Sequence, residues 1–204
     1  MNESKILLLL LTGLFFLAGC GIKPQKDFTA TEIQQLRDAK QQRLHQLTHW
    51  KINGSIAAYS EKEDWSARFN WQQHQQDYTL RLNAPLGQGM VKLSGNDQGV
   101  ILKTADRTLQ ADSPEALLRD DAGISMPVSY LYYWMRGLSV PNITTTKLWN
   151  KQHHLSVLEQ DGWHVEFIKY EQWGSLLLPK KLIIKNQQYY AKVVISNWEL
   201  FNSH

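Results

Sequence analysis

From residue 65 onward, large apolar side chains recur at every second position, and this alternation constrains the fold more than any other feature of the chain. Trp65, Ala67, Phe69 and Trp71 alternate with Ser66, Arg68, Asn70 and Gln72. Tyr78, Leu80 and Leu82 repeat the pattern, followed by Val91 and Leu93, and then by Val100 and Leu102. Later come Trp163, Val165 and Phe167, then Leu182 and Ile184, while Tyr189 to Leu200 is apolar on both parities. Successive side chains on a strand point to opposite faces, so a period of two means strands with one buried face. Short turn signals separate the runs: Gln75-Gln76-Asp77, Gly95-Asn96-Asp97, Asp161-Gly162 and Asn186-Gln187-Gln188. Strands joined so briefly pair antiparallel, which predicts a sandwich or a barrel.

Helical signals interrupt the pattern in three places. Thr29 and Glu32 have capping-box spacing, and Ile33, Leu36, Leu44 and Leu47 follow on one sparse apolar face, predicting a helix over 31–47. This helix is a candidate movable lid. Ser113-Pro114-Glu115 caps a short helix running to Asp120. Pro127 to Arg136 forms another, closed by Gly137. No repeat or second-domain boundary is visible.

The amino terminus is of a different kind. Lys5 precedes an apolar run from Ile6 to Leu17, too short to span a bilayer but suited to a signal peptide. Leu17-Ala18-Gly19-Cys20 resembles the lipobox of bacterial lipoproteins. That resemblance implies cleavage before Cys20, a diacylglyceryl thioether on its sulfur and an acylated amino group. Residues 1–19 are then signal peptide, 20–30 a lipidated tether and 31–204 one domain. Gly21 stands where an Asp would signal inner-membrane retention, which points to the periplasmic face of the outer membrane. Cys20 is the only cysteine, so no intrachain disulfide forms and no cysteine-based zinc site is expected.

Catalytic chemistry is not visible. No Gly-x-Ser-x-Gly elbow, phosphate-binding glycine loop or His-Glu-x-x-His occurs, so no enzyme activity, cofactor or metal is expected. A net charge of +3 without a basic run gives no reason to expect nucleic acid. His45 and His49 stand four apart, yet a solvated helix face explains them better than a metal site. His153 and His154 would point to opposite faces of a strand. The aromatic residues say more, because eight Trp outnumber six Phe and a tryptophan N–H needs a partner in a tight core. Several inward Trp suit either a packed core or a wide apolar cavity, and parity alone weighs toward the core. Leu86 stands in the turn Asn83-Ala84-Pro85-Leu86-Gly87-Gln88-Gly89, between Pro and Gly, a position that holds it out in solvent.

The lipobox, Ala67 to Gln73, Ala84-Pro85-Leu86-Gly87, Met126 to Leu138 and Ser196-Asn197-Trp198, in this order and spacing, resemble the outer-membrane lipoprotein receptor family LolB over essentially the whole chain. The resemblance implies a mostly β (α+β) fold, an open, incomplete antiparallel β-barrel with a helical lid and an apolar cavity. It also implies a monomer that accepts acylated lipoproteins from the periplasmic carrier LolA and inserts them into the outer membrane. In the family, the leucine at the position of Leu86 serves membrane insertion, and the cavity tryptophans correspond to Trp71, Trp134, Trp163 and Trp198. Met90 joins the apolar tip in this reading, and Arg68, Arg81 or Lys92 meets an acidic carrier rim. Trp50, Trp65, Trp149 and Trp173 receive no assignment. The alternative from the residues themselves is a generic lipid- or glycolipid-binding lipoprotein.

Overall fold

The computed structural model describes residues 28–61, 64–83, 89–122 and 126–201. Cys20, the signal segment, most of the tether and Leu86 lie outside the described residues. Helix α1 (Ala30–His45) is followed by six strands: β1 (His49–Ser60), β2 (Asp64–His74), β3 (Asp77–Asn83), β4 (Met90–Asn96), β5 (Gly99–Lys103) and β6 (Thr108–Ala111). Helices α2 (Pro114–Ala122) and α3 (Val128–Trp134) lead to β7 (Thr145–Trp149), β8 (Leu155–Gln160), β9 (Trp163–Trp173), β10 (Leu176–Lys185) and β11 (Tyr189–Leu200). All eleven strands form one antiparallel sheet in the order β6-β5-β4-β3-β2-β1-β11-β10-β9-β8-β7. Pairing of β1 with β11 joins the two halves, while β6 and β7 remain unpaired edges, so the sheet curls into an open barrel.

Alternation decides which face is concave. On β2, Ala67, Phe69 and Trp71 are buried, and across β3 to β5 the same face continues through Leu80, Leu93, Val100 and Leu102. Arg68, Arg81 and Lys92 have the opposite parity and stand on the convex face. The double parity of β11 has a specific cause. Its register against β1 shifts at Asn53/Gly54, so Ala191, Val193 and Ile195 are buried at odd positions and Trp198 at an even one. Gly54 is required at this bulge, since a Cβ there would collide with the Val194 carbonyl oxygen and come within 2.5 Å of Phe69 Cζ.

Antiparallel alternation places every turn at one of two ends. The mouth holds the paired strand ends of β1 and β2, of β3 and β4 and of β5 and β6, with the β8–β9 and β10–β11 turns. The base holds the β2–β3, β4–β5, β7–β8 and β9–β10 turns. Thr29 caps α1 as its spacing predicts: Glu32 N–H donates to Thr29 Oγ1 at 3.2 Å and Thr29 N–H to Glu32 Oε2 at 2.9 Å. Ser113 Oγ accepts from Ala116 N–H at 3.1 Å, capping α2. Gly137, at φ +77°, follows α3. Helix α3 lies in the concavity, with Val128, Leu131 and Trp134 buried.

Helix α1, the candidate movable lid, lies across one end of the barrel. Arg37 covers the Trp149 ring, Lys40 reaches Gln152 O and Arg43 donates to Ser175 O, so α1 runs across the base from the β7 edge toward β1. These polar side chains hold it there together with Leu44, which is buried in the core, as is Leu47 just beyond the helix.

Candidate functional site

The concave face is an aromatic lattice centred on a residue that sequence reasoning left unassigned. Trp50 is 0% exposed. Its ring lies 5.3 Å from Trp71, 5.4 Å from Trp198 and 6.3 Å from Tyr132 of α3. On the other side of α3, Trp134 lies 6.1 Å from Trp163, which stacks on Tyr189 at 6.4 Å. Residues from β1, β2, β9, β11 and α3 thus meet in one interior. Trp50 shares the parity of Ile52 at the start of β1; the alternation His49-Trp50-Lys51-Ile52 is the signal that could have found it, cut short by Asn53, Gly54 and Ser55.

Tryptophan nitrogens in this interior need acceptors. Trp71 Nε1 donates to Gln73 Oε1 at 2.9 Å, and Gln73 passes the bond on to Gln75 O. Trp134 Nε1 donates to Gln160 Oε1 at 3.3 Å, and Gln160 also donates to Val140 O and Thr145 Oγ1. Trp198 Nε1 donates to Pro179 O at 3.3 Å. Trp50 Nε1 and Tyr78 Oη are buried without a partner. Burial, with the Glu115 charge adding to it, pushes the Tyr78 hydroxyl up to about 12.

Two cavities open on this half of the sheet, one at each end. The mouth cavity, about 790 Å³, is lined by Trp65, Ala67, Leu82, Met90 and Val91 with Tyr59 and Asp106 at its rim. It adjoins both ends of the 84–88 segment that carries Leu86, and Met90 beside it is 50% exposed. The base cavity, about 410 Å³, is lined by Trp71, Tyr78, Tyr132, Tyr133, Gln73 and His45 among others. Of the four tryptophans named from the sequence, Trp71 lines a cavity directly, while Trp134, Trp163 and Trp198 are buried in the aromatic core beside it.

Arg136 is the functional-looking residue that sequence reasoning passed over. It is 1% exposed and has no carboxylate against it. Its Nε donates to Tyr132 O at 2.9 Å, and its Nη1 donates to Leu44 O at 3.2 Å and Leu47 O at 2.9 Å. The guanidinium lies 3.8 Å from the Tyr132 ring centroid. One cation therefore ties the C-terminal end of α1 to α3, donating to the Tyr132 and Leu47 carbonyls and to a Leu44 carbonyl that also accepts from Leu47 N–H. Burial lowers its proton affinity. His49 packs edge-on against His74 at 4.2 Å, whereas His45 lines the base cavity, so the two histidines four apart do not face one centre. His153 and His154 stand in the β7–β8 turn, not in a strand, and both line a third cleft beside α1. Burial, and next the Arg136 charge, lower the His45 imidazole.

This geometry has counterparts among known proteins. A family profile described as Outer membrane lipoprotein LolB matches residues 48–198. The outer-membrane lipoprotein LolB of Ectopseudomonas mendocina (strain ymp) is 34% identical over 194 residues, covering 94% of this chain and 95% of that protein. That of Pseudomonas syringae pv. syringae (strain B728a) is 37% identical over 166 residues, covering 81% and 80%. Among solved structures, a LolA-superfamily protein from Nitrosomonas europaea superposes with a TM-score of 0.54 at 6% identity, covering 87% of this chain and 96% of that one. A putative outer membrane lipoprotein-sorting protein domain from Vibrio parahaemolyticus gives 0.51 at 9% identity, covering 85% and 92%. These two likenesses establish the shared open-barrel fold. The profile match across the sheet, together with relatives similar over most of their length, shows that the chain belongs to the LolB family of outer-membrane lipoproteins.

Proposed function

We propose that this protein is a lipoprotein receptor and insertase of the outer membrane. It accepts acylated lipoproteins from the periplasmic carrier LolA and delivers them to the bilayer, without catalysing a covalent step. The observation that carries this reading is the open antiparallel sheet with an apolar cavity of about 790 Å³ at its mouth, beside the segment that holds Leu86. Acyl chains would pass from the carrier's interior to this one and then to lipid, so little apolar surface meets water at any stage. Direction comes from differential affinity, each 1.4 kcal/mol of preference shifting the transfer about tenfold. Trp71, Trp134, Trp163 and Trp198 form the acyl-binding interior, entered from the mouth. Leu86 enters the bilayer during release. Cys20, lipidated, holds the protein at the periplasmic face of the outer membrane.

Transfer in vitro tests the proposal. The protein is mixed with carrier loaded with a triacylated lipoprotein and then with liposomes, beside a Leu86→Glu variant. The wild type should strip the carrier and deliver cargo, and the variant should strip it but deliver at least about tenfold less. If neither form takes cargo from the carrier, the receptor reading fails and free-lipid binding replaces it.

A further inference from the structure

The third cleft, about 140 Å³, lies outside both cavities. It is formed at the base where α1 crosses the β7–β8 and β9–β10 turns, and Lys40, Arg43, His153, His154, Trp149 and Tyr170 line it. Lys147 and Lys151 flank it on β7 and the following turn. No ion pair among the described residues reaches Lys40, Arg43, Lys147 or Lys151. Their bonds go to neutral backbone instead: Lys40 Nζ to Gln152 O at 3.5 Å and one Arg43 nitrogen to Ser175 O at 2.9 Å, leaving donors over. His153 is held at φ +58°, a left-handed conformation costly for a residue with a Cβ, and its Nδ1 is buried without a partner. Burial, and then the Lys40 and His153 charges, lower the His154 imidazole, while Asp38 is the acid that acts on Lys147. Cations gathered around a cleft with unused donors and so little opposing charge suit an oxyanion with several acceptor atoms.

We infer that this cleft binds the phosphodiester headgroup of an anionic phospholipid and sets how the domain stands on its own membrane. The inference rests on lipidation of Cys20. Ala30 begins α1 ten positions after Cys20, so the chain between them spans at most about 35 Å. The twelve residues of β1, tilted as strands of a barrel are, separate base from mouth by about 30 Å. The anchor thus joins the domain at its base, with reach enough for either end to meet the lipid surface. Among the described residues the mouth mixes signs, with Glu61, Asp64 and Asp106 beside Lys103 and Arg107 and with Lys185 paired to Glu166. Docked by the cleft, the domain stands with its mouth toward the periplasm, the pose for accepting cargo. Undocking frees the mouth to turn toward the bilayer.

The test uses the lipidated full mature chain in vesicles, with an environment-sensitive fluorophore on Gln152→Cys, a neutral exposed position in the same turn. Flotation with pure phosphatidylcholine vesicles reads the anchor alone. Adding about one quarter phosphatidylglycerol should shift the emission to the blue, and high salt should reverse the shift. Lys40→Glu with Arg43→Glu should raise the phosphatidylglycerol needed for half the shift at least about fivefold, while Lys40→Arg keeps it. Unchanged emission in anionic vesicles, or an unchanged response in the double variant, overturns the inference. A shift produced by inorganic phosphate in phosphatidylcholine vesicles, without any effect of phosphatidylglycerol, overturns the lipid assignment and leaves a soluble phosphate site. Loss of flotation itself would count against the anchor and not against the cleft.

Discussion

Arg136 carries more of the structure than any other polar residue. Its three backbone acceptors come from residues up to 92 positions away, so nothing local in Met135-Arg136-Gly137 announces them. In sequence it read only as the end of a helix. Replacing it with Met keeps the bulk but strands the Tyr132 and Leu47 carbonyls, and the expected loss is about 3 kcal/mol in urea unfolding. A loss under about 1 kcal/mol would contradict the tie between α1 and α3. Tyr78 behaves in the opposite way, since its hydroxyl is buried and bonds to nothing. Tyr78→Phe should leave stability unchanged or raise it by about 1 kcal/mol. The folded value of about 12 lies above the ordinary 10, so this residue's share of stability is whole below pH 10 and falls as pH rises toward 12. The variant should flatten that alkaline decline, measured as urea midpoints at about pH 9 and about pH 11. Trp71 and Trp163 were legible as inward residues from parity, whereas Trp134 on a helix and Trp198 on a strand apolar on both parities were not. The acceptors, Gln73, Gln160 and Pro179 O, were not legible either, because polar partners follow no period.

Bulges mark where the alternating sequence stopped being readable. On β11 the shift at Asn53/Gly54 turned one buried face into two parities. On β8 the register breaks between Leu148 and Trp149, so Leu155 and Leu158 are buried three positions apart, a helical spacing in a strand. Edge strand β7 inverts the usual order, with Leu148 56% exposed and Lys147 half-buried, which hid it entirely. Where neither a bulge nor an edge intervened, as on β2 to β5 and over Trp163 to Phe167 of β9, the strands fell where the period of two put them. Strand β9 breaks register against β10 only beyond Phe167, at Ile168. Gly54 offers the sharpest check at this scale. Gly54→Ala must move Phe69 or part β1 from β11, at an expected cost of about 1–3 kcal/mol in chemical denaturation. An unaltered midpoint would mean the bulge has room to spare. At the other end of the chain, Thr29→Ala should cost about 1 kcal/mol, seen as faster amide exchange in the first turn of α1 and not across the sheet.

The molecule as a whole is an eleven-stranded sheet that never closes, with a cavity at each end and an aromatic interior between them. An antiparallel β protein followed from alternation. That the sheet stays open did not, since closure depends on whether β6 meets β7, two short edges with weak patterns. Membership of the LolB family came from segments spread along the chain, each modest and specific only together. The site was legible in part: Trp71 and Trp163 by parity, but not Trp50 at the centre or the position of α1 over the base. The central claim is that acyl chains enter the concave interior. Photo-crosslinking from a benzophenone side chain tests it most directly, placed at Leu82 on the mouth cavity or at Ile168, which is 48% exposed on the convex face. On mixing with carrier bearing acyl-labelled lipoprotein, the position at Leu82 should capture the label and that at Ile168 should not. Equal labelling at both positions, or labelling at Ile168 alone, would contradict the account.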